Sequence, residues 1–324
     1  MPHPPPAIPG FTEHRIPVTP DTTLNTAIGG TGTPVILLHG FPQTHLMWRH
    51  VAPELATNHT VICPDLRGYG ASDKPADPDG TAYSKRTMAA DVIALAKALG
   101  HDRFALVGHD RGALVAIRAG LDHPDKVTHL ASLDVLPTLD MWEVMRGTSA
   151  AVGFHLYLMA QPPGLPEQLI GASPDAFFGH FLDIWTRDPA AVPPEIRAAY
   201  LAASRAAVPS IVADYRASAG IDVTHDRADR EADRRLRMPV TVLQQDWGTA
   251  LGFDAAALWS AWAPDLRHTT VSCGHFMAEE APDEVVKAVR DLLTRGDSGA
   301  PRMDRRRGGH RGCGGHRGCR QRGS

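Results

Sequence analysis

The segment Phe104-Ala-Leu-Val-Gly-His-Asp-Arg-Gly112 gives the clearest indication of the fold. Its first four residues are apolar and predict a strand buried on both faces, and the residues that follow predict a helix over 111–121. The spacing of the two glycines matches the strand–turn–helix pattern G-x-S-x-G, with Asp110 in the serine position. Glycine suits both flanking positions because a side chain there would meet the neighbouring strand or helix. The pattern therefore predicts that Asp110 projects from a sharp turn above the strand ends.

Apolar and amphipathic segments alternate on both sides of this turn, which is the pattern of a doubly wound sheet. The predicted strands span residues 13–18, 22–28, 34–38, 60–63, 104–107, 127–133, 239–243 and 269–271. The predicted helices span residues 44–58, 85–99, 111–121, 254–262 and 282–294. The sequence therefore predicts an α/β fold with a mostly parallel sheet flanked by helices.

The alternation stops at Pro137 and resumes near residue 239. Residues 138–230 contain helix-like pieces and two Pro-Pro pairs but no good strand. We expect this stretch to form a helical cap inserted between a first core segment, 12–137, and a second core segment, 231–297.

The two ends of the chain differ in composition from the rest. Residues 1–11 are rich in proline and residues 298–324 in arginine and glycine, so we expect both to be disordered. The C-terminal stretch carries +7, which leaves −10 on the other 297 residues of a chain with net charge −3. Its repeated Gly-Gly-His-Arg-Gly-Cys offers metal ligands, but its low complexity favours disorder and we predict no metal site. The acidic body argues against nucleic acid as the main partner, because phosphate binding needs a basic face.

The composition of the chain also indicates the cellular compartment. The four cysteines form no dense disulfide framework, which favours a reducing compartment. The first residues lack the apolar segment of a signal peptide, and no run of about 18 apolar residues predicts a membrane span. We therefore expect a cytoplasmic protein whose partner is a small-molecule substrate, with neither nucleic acid nor membrane, and we leave its assembly open between monomer and homodimer.

An aspartate in place of serine changes the chemistry of the turn. A carboxylate attacks saturated carbon, displaces a leaving group and becomes esterified, so that water must then hydrolyse the ester. His275, after the last predicted strand, is the candidate base, because a neutral imidazole accepts a proton from water near neutral pH. Two carboxylates follow predicted strands and are candidates to orient this imidazole: Asp134 and Asp246.

Backbone amides complete the candidate site. His39-Gly-Phe-Pro42 ends a predicted strand beside the strand that carries Asp110. The N–H groups of Phe41 and Arg111 are therefore the expected donors to an oxyanion that forms on the esterified carboxyl group.

With these residues in place, the chain resembles the α/β-hydrolase superfamily over residues 12–296, and within it the branch with an aspartate nucleophile. That branch holds the haloacetate (fluoroacetate) dehalogenases and the epoxide hydrolases, which share His-Gly-Phe-Pro at 39–42, the segment 65–73 and Gly-His-Asp-Arg-Gly at 108–112. The resemblance implies the α/β-hydrolase fold, hydrolysis through an Asp110 ester, and no metal or organic cofactor.

Three features are more similar to the dehalogenases. The segment Leu133-Asp-Val-Leu-Pro-Thr138 resembles the dehalogenase motif in which Asp134 is the triad acid. Arg111 occupies the position that binds the substrate carboxylate in that family, with pairing to a core carboxylate as the alternative. By similarity, His155 and Tyr215 belong to the halide pocket, where they stabilise the departing anion. The resemblance thus implies a hydrolytic dehalogenase of short 2-haloacids.

Two departures from the dehalogenase pattern bear on the substrate. Leu114 stands where the dehalogenases carry a second carboxylate-binding arginine, and Leu156 stands where they carry a tryptophan after the cap histidine. Because fluoride is a poor leaving group that needs those donors, we expect a larger or less polar substrate that is chlorinated or brominated.

The alternative is an epoxide hydrolase with the same nucleophile and base. In that family the acid follows the later strand, 239–243, and Asp246 is the candidate here. Counted from Pro239, the position of the epoxide hydrolase acid falls at Gly248, two residues beyond Asp246. Epoxide hydrolases also use two cap tyrosines, for which Tyr157 and Tyr215 are candidates. We expect the remaining large cap aromatics to be core residues: Trp142, Phe154, Phe177, Phe178 and Trp185.

Overall fold

The computed structural model describes residues 6–246 and 251–296, and within these residues eight strands form one sheet. The strands are β1 Thr12–Thr19, β2 Thr22–Gly29, β3 Thr33–Leu38, β4 His59–Pro64, β5 Phe104–His109, β6 Val127–Leu133, β7 Val240–Gln244 and β8 Leu266–Thr270. Their order across the sheet is β1-β2-β4-β3-β5-β6-β7-β8. The β1–β2 and β2–β4 pairs are antiparallel and all other neighbours are parallel, so the predicted α/β class is confirmed.

Helices cover both faces of the sheet. Those of the core are α1 Ala52–Leu55, α2 Lys85–Ala98, α3 Arg111–Asp122, α11 Ala255–Ser260, α12 Met277–Glu280 and α13 Pro282–Leu293. Successive strand residues point to opposite faces, so the apolar run of β3 contributes Ile36 to one buried cluster and Val35 to the other. Val92 of α2 belongs to the first cluster, and Val289 of α13 belongs to the second. The uninterrupted apolar strands thus reflect a sheet that is buried on both sides.

An all-helical segment connects β6 to β7 and forms a cap over the carboxyl ends of the strands. Its helices are α4 Thr138–Val144, α5 Phe154–Met159, α6 Leu165–Ala172, α7 Pro174–Ile184, α8 Pro194–Arg205, α9 Val208–Ala217 and α10 Val223–Glu231. A π-helical turn, Ser218–Asp222, joins α9 to α10. Cap residues such as Phe181 and Ile211 pack in the same buried cluster as Phe41 of the core, so cap and core share apolar contacts.

Three local predictions were wrong in detail. The helix expected over 44–58 is a 3₁₀ turn at His45–Trp48 followed by the short α1, and Pro53 lies in the first turn of α1, where its missing N–H is tolerated. Strand β8 begins three residues before the expected 269, because an exposed edge strand carries little apolar alternation. Residues 6–11 were expected to be disordered, but Ile8 is 2% exposed and its carbonyl accepts the N–H of Phe11, because burial of this one apolar side chain anchors the segment.

Some expectations concern residues outside the described ranges. These are the Arg/Gly-rich stretch 298–324, with its His and Cys repeat, and position 248, where an epoxide hydrolase acid was counted. In the described parts of the chain, no helix has both the length and the apolar character needed to cross a bilayer. Within the same ranges, no group of three or more His, Cys, Asp or Glu side chains is arranged to hold a metal ion.

Candidate active site

The turn after β5 holds Asp110 in a backbone conformation that few non-glycine residues adopt. Asp110 has φ 47° and ψ −116° and immediately precedes α3. A Cβ on Gly108 would lie 2.5 Å from the backbone of Ala113, and one on Gly112 would lie 2.4 Å from the Leu38 carbonyl oxygen. Only glycine therefore allows α3 to approach the sheet this closely, and the resulting sharp turn presents Asp110 to a cavity at the strand ends.

The two carboxylate oxygens of Asp110 have different environments. Oδ1 accepts the Phe41 N–H at 2.8 Å, whereas Oδ2 lies 4.0 Å from Nε2 of His275. Burial by itself would raise the pKa of Asp110, but His275, His109, Arg111 and the Phe41 amide lower it below its ordinary value. Asp110 is therefore ionised at neutral pH, with one oxygen held by an amide and the other directed towards the imidazole.

Asp134 takes the position next to the imidazole. Its Oδ2 lies 2.6 Å from His275 Nδ1, and its two oxygens also accept the backbone N–H and the side-chain amide of Gln245, at 2.9 and 2.7 Å. Asp246, the other candidate for this role, lines a separate groove together with Gln245 and is not among the residues that line the cavity with Asp110. Of the two alternatives from the sequence, the structure places Asp134 on the imidazole.

The electrostatics of His275 follow from these neighbours. Burial favours the neutral ring and by itself would lower the pKa of His275. The hydrogen bond and charge of Asp134, together with the charges of Asp110 and Glu280, outweigh burial and raise the pKa above the ordinary 6.5. Nε2 is buried and has no hydrogen-bond partner among the described residues, so it is open to a small molecule between the ring and Asp110.

The two expected oxyanion donors differ in the structure. The Phe41 amide already contacts the Asp110 carboxylate. The Arg111 amide is the first of α3, and among the described residues no hydrogen bond joins it to that carboxylate. Of the two expected donors, only the Phe41 amide therefore contacts Oδ1 in the structure. A hydrogen bond from the Arg111 amide depends on the position that Oδ1 takes in an intermediate.

The Arg111 side chain is paired with a carboxylate of the cap. Its Nε donates to Asp214 Oδ2 at 2.9 Å, and its Nη2 donates to Asp214 Oδ1 at 2.8 Å and to the Asp214 carbonyl at 3.0 Å. The third nitrogen, Nη1, lies 3.5 Å from Ser218 Oγ. The expected contact with a substrate carboxylate therefore falls to Nη1 alone, because α9 brings Asp214 against the rest of the guanidinium group.

His155 and Tyr215 both line the cavity that contains Asp110. Burial lowers the pKa of His155 to about 3, so its imidazole is neutral and carries one N–H. Burial also raises the pKa of Tyr215 well above its ordinary value, so its hydroxyl stays protonated. The ring centroids of the two residues lie 5.5 Å apart, which places two neutral donors on one side of the cavity.

The cavity has a volume of about 310 Å³ and mainly apolar walls. Its apolar lining residues are Leu114, Val135, Met141, Trp142, Met145, Val152, Leu156, Trp185 and Leu251. A space of this size and character suits a small molecule with a hydrocarbon part.

Phe154 is 40% exposed, so its assignment to the core was wrong. Trp142 and Trp185 pack against the larger buried cluster as expected, and both also line the cavity. The ring of Trp185 lies 4.9 Å from that of His275, centroid to centroid. No pattern in the sequence separates these two residues from the aromatics that pack inside the cap, because both groups occur in the same short helical pieces. Tyr157, in contrast, donates to the Met145 carbonyl at 2.5 Å and is not a lining residue.

The sheet order, the turn at Asp110 and the inserted cap define a class of protein. The family described as the alpha/beta hydrolase fold matches residues 33–282, and the chain belongs to this family. Within the family, the chain is 39% identical to a fluoroacetate dehalogenase from a Burkholderia species, over 92% of this chain and 98% of that protein. It is 33% identical to a soluble epoxide hydrolase from Corynebacterium sp. (strain C12), over 79% and 88% of the two chains. The solved structure of an α/β hydrolase from Nostoc sp. PCC 7120 matches with a TM-score of 0.84 and 40% identity, over 89% of this chain and 99% of that one.

Proposed function

We propose that this hydrolase is a dehalogenase in which Asp110 displaces halide from the saturated carbon of a short 2-haloacid. The observation that carries the proposal is the difference between the two oxygens of Asp110. The Phe41 amide holds Oδ1, while Oδ2 lies 4.0 Å from His275 Nε2, and Asp110 and His275 both line the cavity. One oxygen is thus available to attack carbon, and the other is already placed where negative charge develops when the ester is hydrolysed.

In the first step, Oδ2 of Asp110 attacks the carbon that bears the halogen. The new bond joins Oδ2 to carbon, and the carbon–halogen bond breaks with its electron pair leaving on the halide. The N–H of His155 and the O–H of Tyr215 stabilise this anion, because both are neutral donors on the cavity wall.

In the second step, His275 Nε2 removes a proton from water, and the hydroxide attacks the carboxyl carbon of Asp110. Negative charge develops on Oδ1, where the Phe41 N–H is directed. The bond between the carboxyl carbon and Oδ2 then breaks, and the imidazolium returns its proton to the departing 2-hydroxyacid. Asp134 stabilises the imidazolium through its 2.6 Å contact with Nδ1.

The walls of the cavity define the substrate more narrowly. Arg111 offers only Nη1 to a substrate carboxylate, because Asp214 occupies its other nitrogens. Leu114 and Leu156 offer apolar surface at the two positions where the dehalogenase pattern has donors. We therefore propose chlorinated or brominated 2-haloacids with a hydrocarbon substituent, in preference to fluoroacetate.

Epoxide hydrolysis is the second candidate function. It is supported by Tyr215, a cavity-lining residue whose hydroxyl is the kind of donor that protonates an opening epoxide, and by the mainly apolar cavity. The soluble epoxide hydrolase among the relatives supports the same alternative. Against it, the Tyr157 hydroxyl donates a hydrogen bond to a backbone carbonyl, and of the two candidate tyrosines only Tyr215 lines the described cavity.

Two measurements on the purified protein test these proposals. Incubation with 2-bromobutanoate and, separately, with styrene oxide compares halide release with diol formation, and diol without halide would select the epoxide hydrolase. A single turnover in ¹⁸O-water, followed by the mass of the peptide that contains Asp110, tests the ester. We expect the heavy oxygen in the Asp110 carboxylate, and an unlabelled peptide after turnover would exclude the ester mechanism.

A further inference from the structure

One carboxylate joins the loop that carries His275 to the cap. Glu280, at the end of α12, accepts three backbone N–H groups on its Oε2. They come from Gly274 at 3.2 Å, from Arg187 at 2.9 Å and from Asp188 at 3.0 Å. The first is the residue before His275, and the other two belong to the cap segment that follows α7.

The backbone of the His275 loop also contacts this cap segment directly. The His275 N–H donates to the Trp185 carbonyl at 2.8 Å. The approach is so close that a Cβ on Gly274 would lie 2.4 Å from that carbonyl oxygen and 2.3 Å from Oε1 of Glu280. The position of the His275 backbone therefore depends on the cap as well as on the sheet.

Glu280 also acts on the imidazole through its charge. Its Oε1 is buried and has no hydrogen-bond partner among the described residues. The charge of Glu280 raises the pKa of His275. Its effect is smaller than the effects of burial, Asp134 and Asp110. Among the described residues, His109 and His155 are further titratable neighbours of the imidazole, and burial keeps both of them neutral.

We infer that Glu280 is a positioning residue for hydrolysis of the Asp110 ester. It holds the cap segment 185–188 against the His275 loop, so that Nε2 stays within reach of a water molecule at Asp110. Formation of the ester needs Asp110 and the halide donors, whereas its hydrolysis needs the imidazole in position. The inference rests on the two-step mechanism proposed above, and it separates the two steps: loss of Glu280 affects the second.

Two substitutions and a control test this role. Glu280→Ala removes the acceptor of three N–H groups, and Glu280→Gln keeps an acceptor oxygen but removes the charge. Glu284→Ala removes an exposed carboxylate from the neighbouring α13 and is the matched control. Rapid-quench mixing with 2-bromobutanoate, followed by the mass of the intact protein, measures ester formation and ester decay separately at each pH.

We expect Glu280→Ala to form the ester at about the wild-type rate and to hydrolyse it on the order of 10-fold or more slowly, because a small misplacement of a catalytic group is costly. We expect the acid limb of the ester-decay profile to move to lower pH in Glu280→Gln, because a negative charge near the imidazole is lost. The Gln variant keeps the test decisive if the Ala variant does not fold.

Unchanged ester decay and an unchanged pH profile in both variants would overturn the inference. Equal slowing of both steps in Glu280→Ala would also overturn it, since that result indicates general disruption. Failure of the wild-type protein to form an Asp110 ester would instead refute the proposed function, so the two failures are distinguishable.

Discussion

Oδ2 of Asp134 lies 2.6 Å from Nδ1 of His275, and this contact joins the end of β6 to a loop 141 residues further along the chain. The same carboxylate is held by the backbone and side-chain amides of Gln245 after β7. Two adjacent strand ends therefore orient the acid, and the acid orients the imidazole. The proposed base is held on its Nδ1 side and open on its Nε2 side.

The first prediction concerns the pH dependence of ester hydrolysis. A base must be neutral to accept a proton, so the rate falls as the pH drops through the pKa of His275. Esterification removes the charge of Asp110, but the hydrogen bond and charge of Asp134 still raise the pKa of His275, so we expect the midpoint of the acid limb above 6.5. Asp134→Asn should move the midpoint to lower pH and slow hydrolysis by about 10³-fold or more. Rapid-quench ester decay against pH measures both changes, and Asp246→Asn is the control that should change neither.

The second prediction is that Asp110→Asn abolishes halide release and leaves the fold intact. Asparagine tolerates a positive φ better than most residues, so the turn at φ 47° should persist. Halide release should fall by more than about 10³-fold, because the amide is a poor nucleophile. Halide assays and urea unfolding measure the two properties. Activity retained at the wild-type level would identify a different nucleophile.

The third prediction concerns substrate choice. Leu114 lines the cavity one helical turn after Arg111, so Leu114→Arg should bring a second guanidinium group to a substrate carboxylate. A charge-assisted hydrogen bond contributes about 1.5–3 kcal/mol, which corresponds to a KM for chloroacetate lower by about 10- to 150-fold. Steady-state kinetics measure the change, with Leu114→Met as the control of similar size. A KM that does not fall would place the substrate carboxylate away from α3.

The fourth prediction separates the two cap tyrosines. Tyr215→Phe keeps the ring under the Arg111 guanidinium, which lies 4.1 Å from the ring centroid, and removes the proposed halide donor. Ester formation should slow by about 10-fold or more, with a larger effect for chloride than for bromide as the leaving group. Tyr157→Phe should have little effect on halide release, because the Tyr157 hydroxyl donates a hydrogen bond to the Met145 carbonyl. An equal loss in both variants would favour the epoxide hydrolase arrangement.

The fifth prediction concerns stability. His45 is 5% exposed, and the neighbouring Asp65 and Glu13 outweigh burial and raise its pKa from 6.5 to about 10. Its contribution to the free energy of unfolding is fully present below pH 6.5 and is lost as the pH rises through about 10. Between pH 6.5 and about 10, the free energy of unfolding should therefore fall less in His45→Gln than in the wild-type protein. Urea unfolding at several pH values tests this, with the exposed His14→Gln as control.

The features that the sequence predicted by itself are those whose causes lie within a few residues. The apolar run at 104–107 and the two glycines predicted a strand and a sharp turn, because steric demands at Gly108 and Gly112 act over neighbouring residues. The same holds for the position of His275 after a strand. Breaks within helices were harder to predict from the sequence. The segment 44–58 has helical composition, yet packing divides it into a 3₁₀ turn and a short helix.

Contacts between distant segments depend on how those segments pack in the folded chain. The residues alone left Asp134 and Asp246 as candidates and the resemblance to the dehalogenases favoured Asp134, but the contact itself arises from the packing of adjacent strand ends. The pairing of Arg111 with Asp214 across 103 residues, and the place of Trp185 on the cavity wall, likewise arise where the cap docks on the core. Such contacts form because two surfaces, each shaped by its own local pattern, meet in one relative orientation, and no periodicity within either segment encodes that orientation.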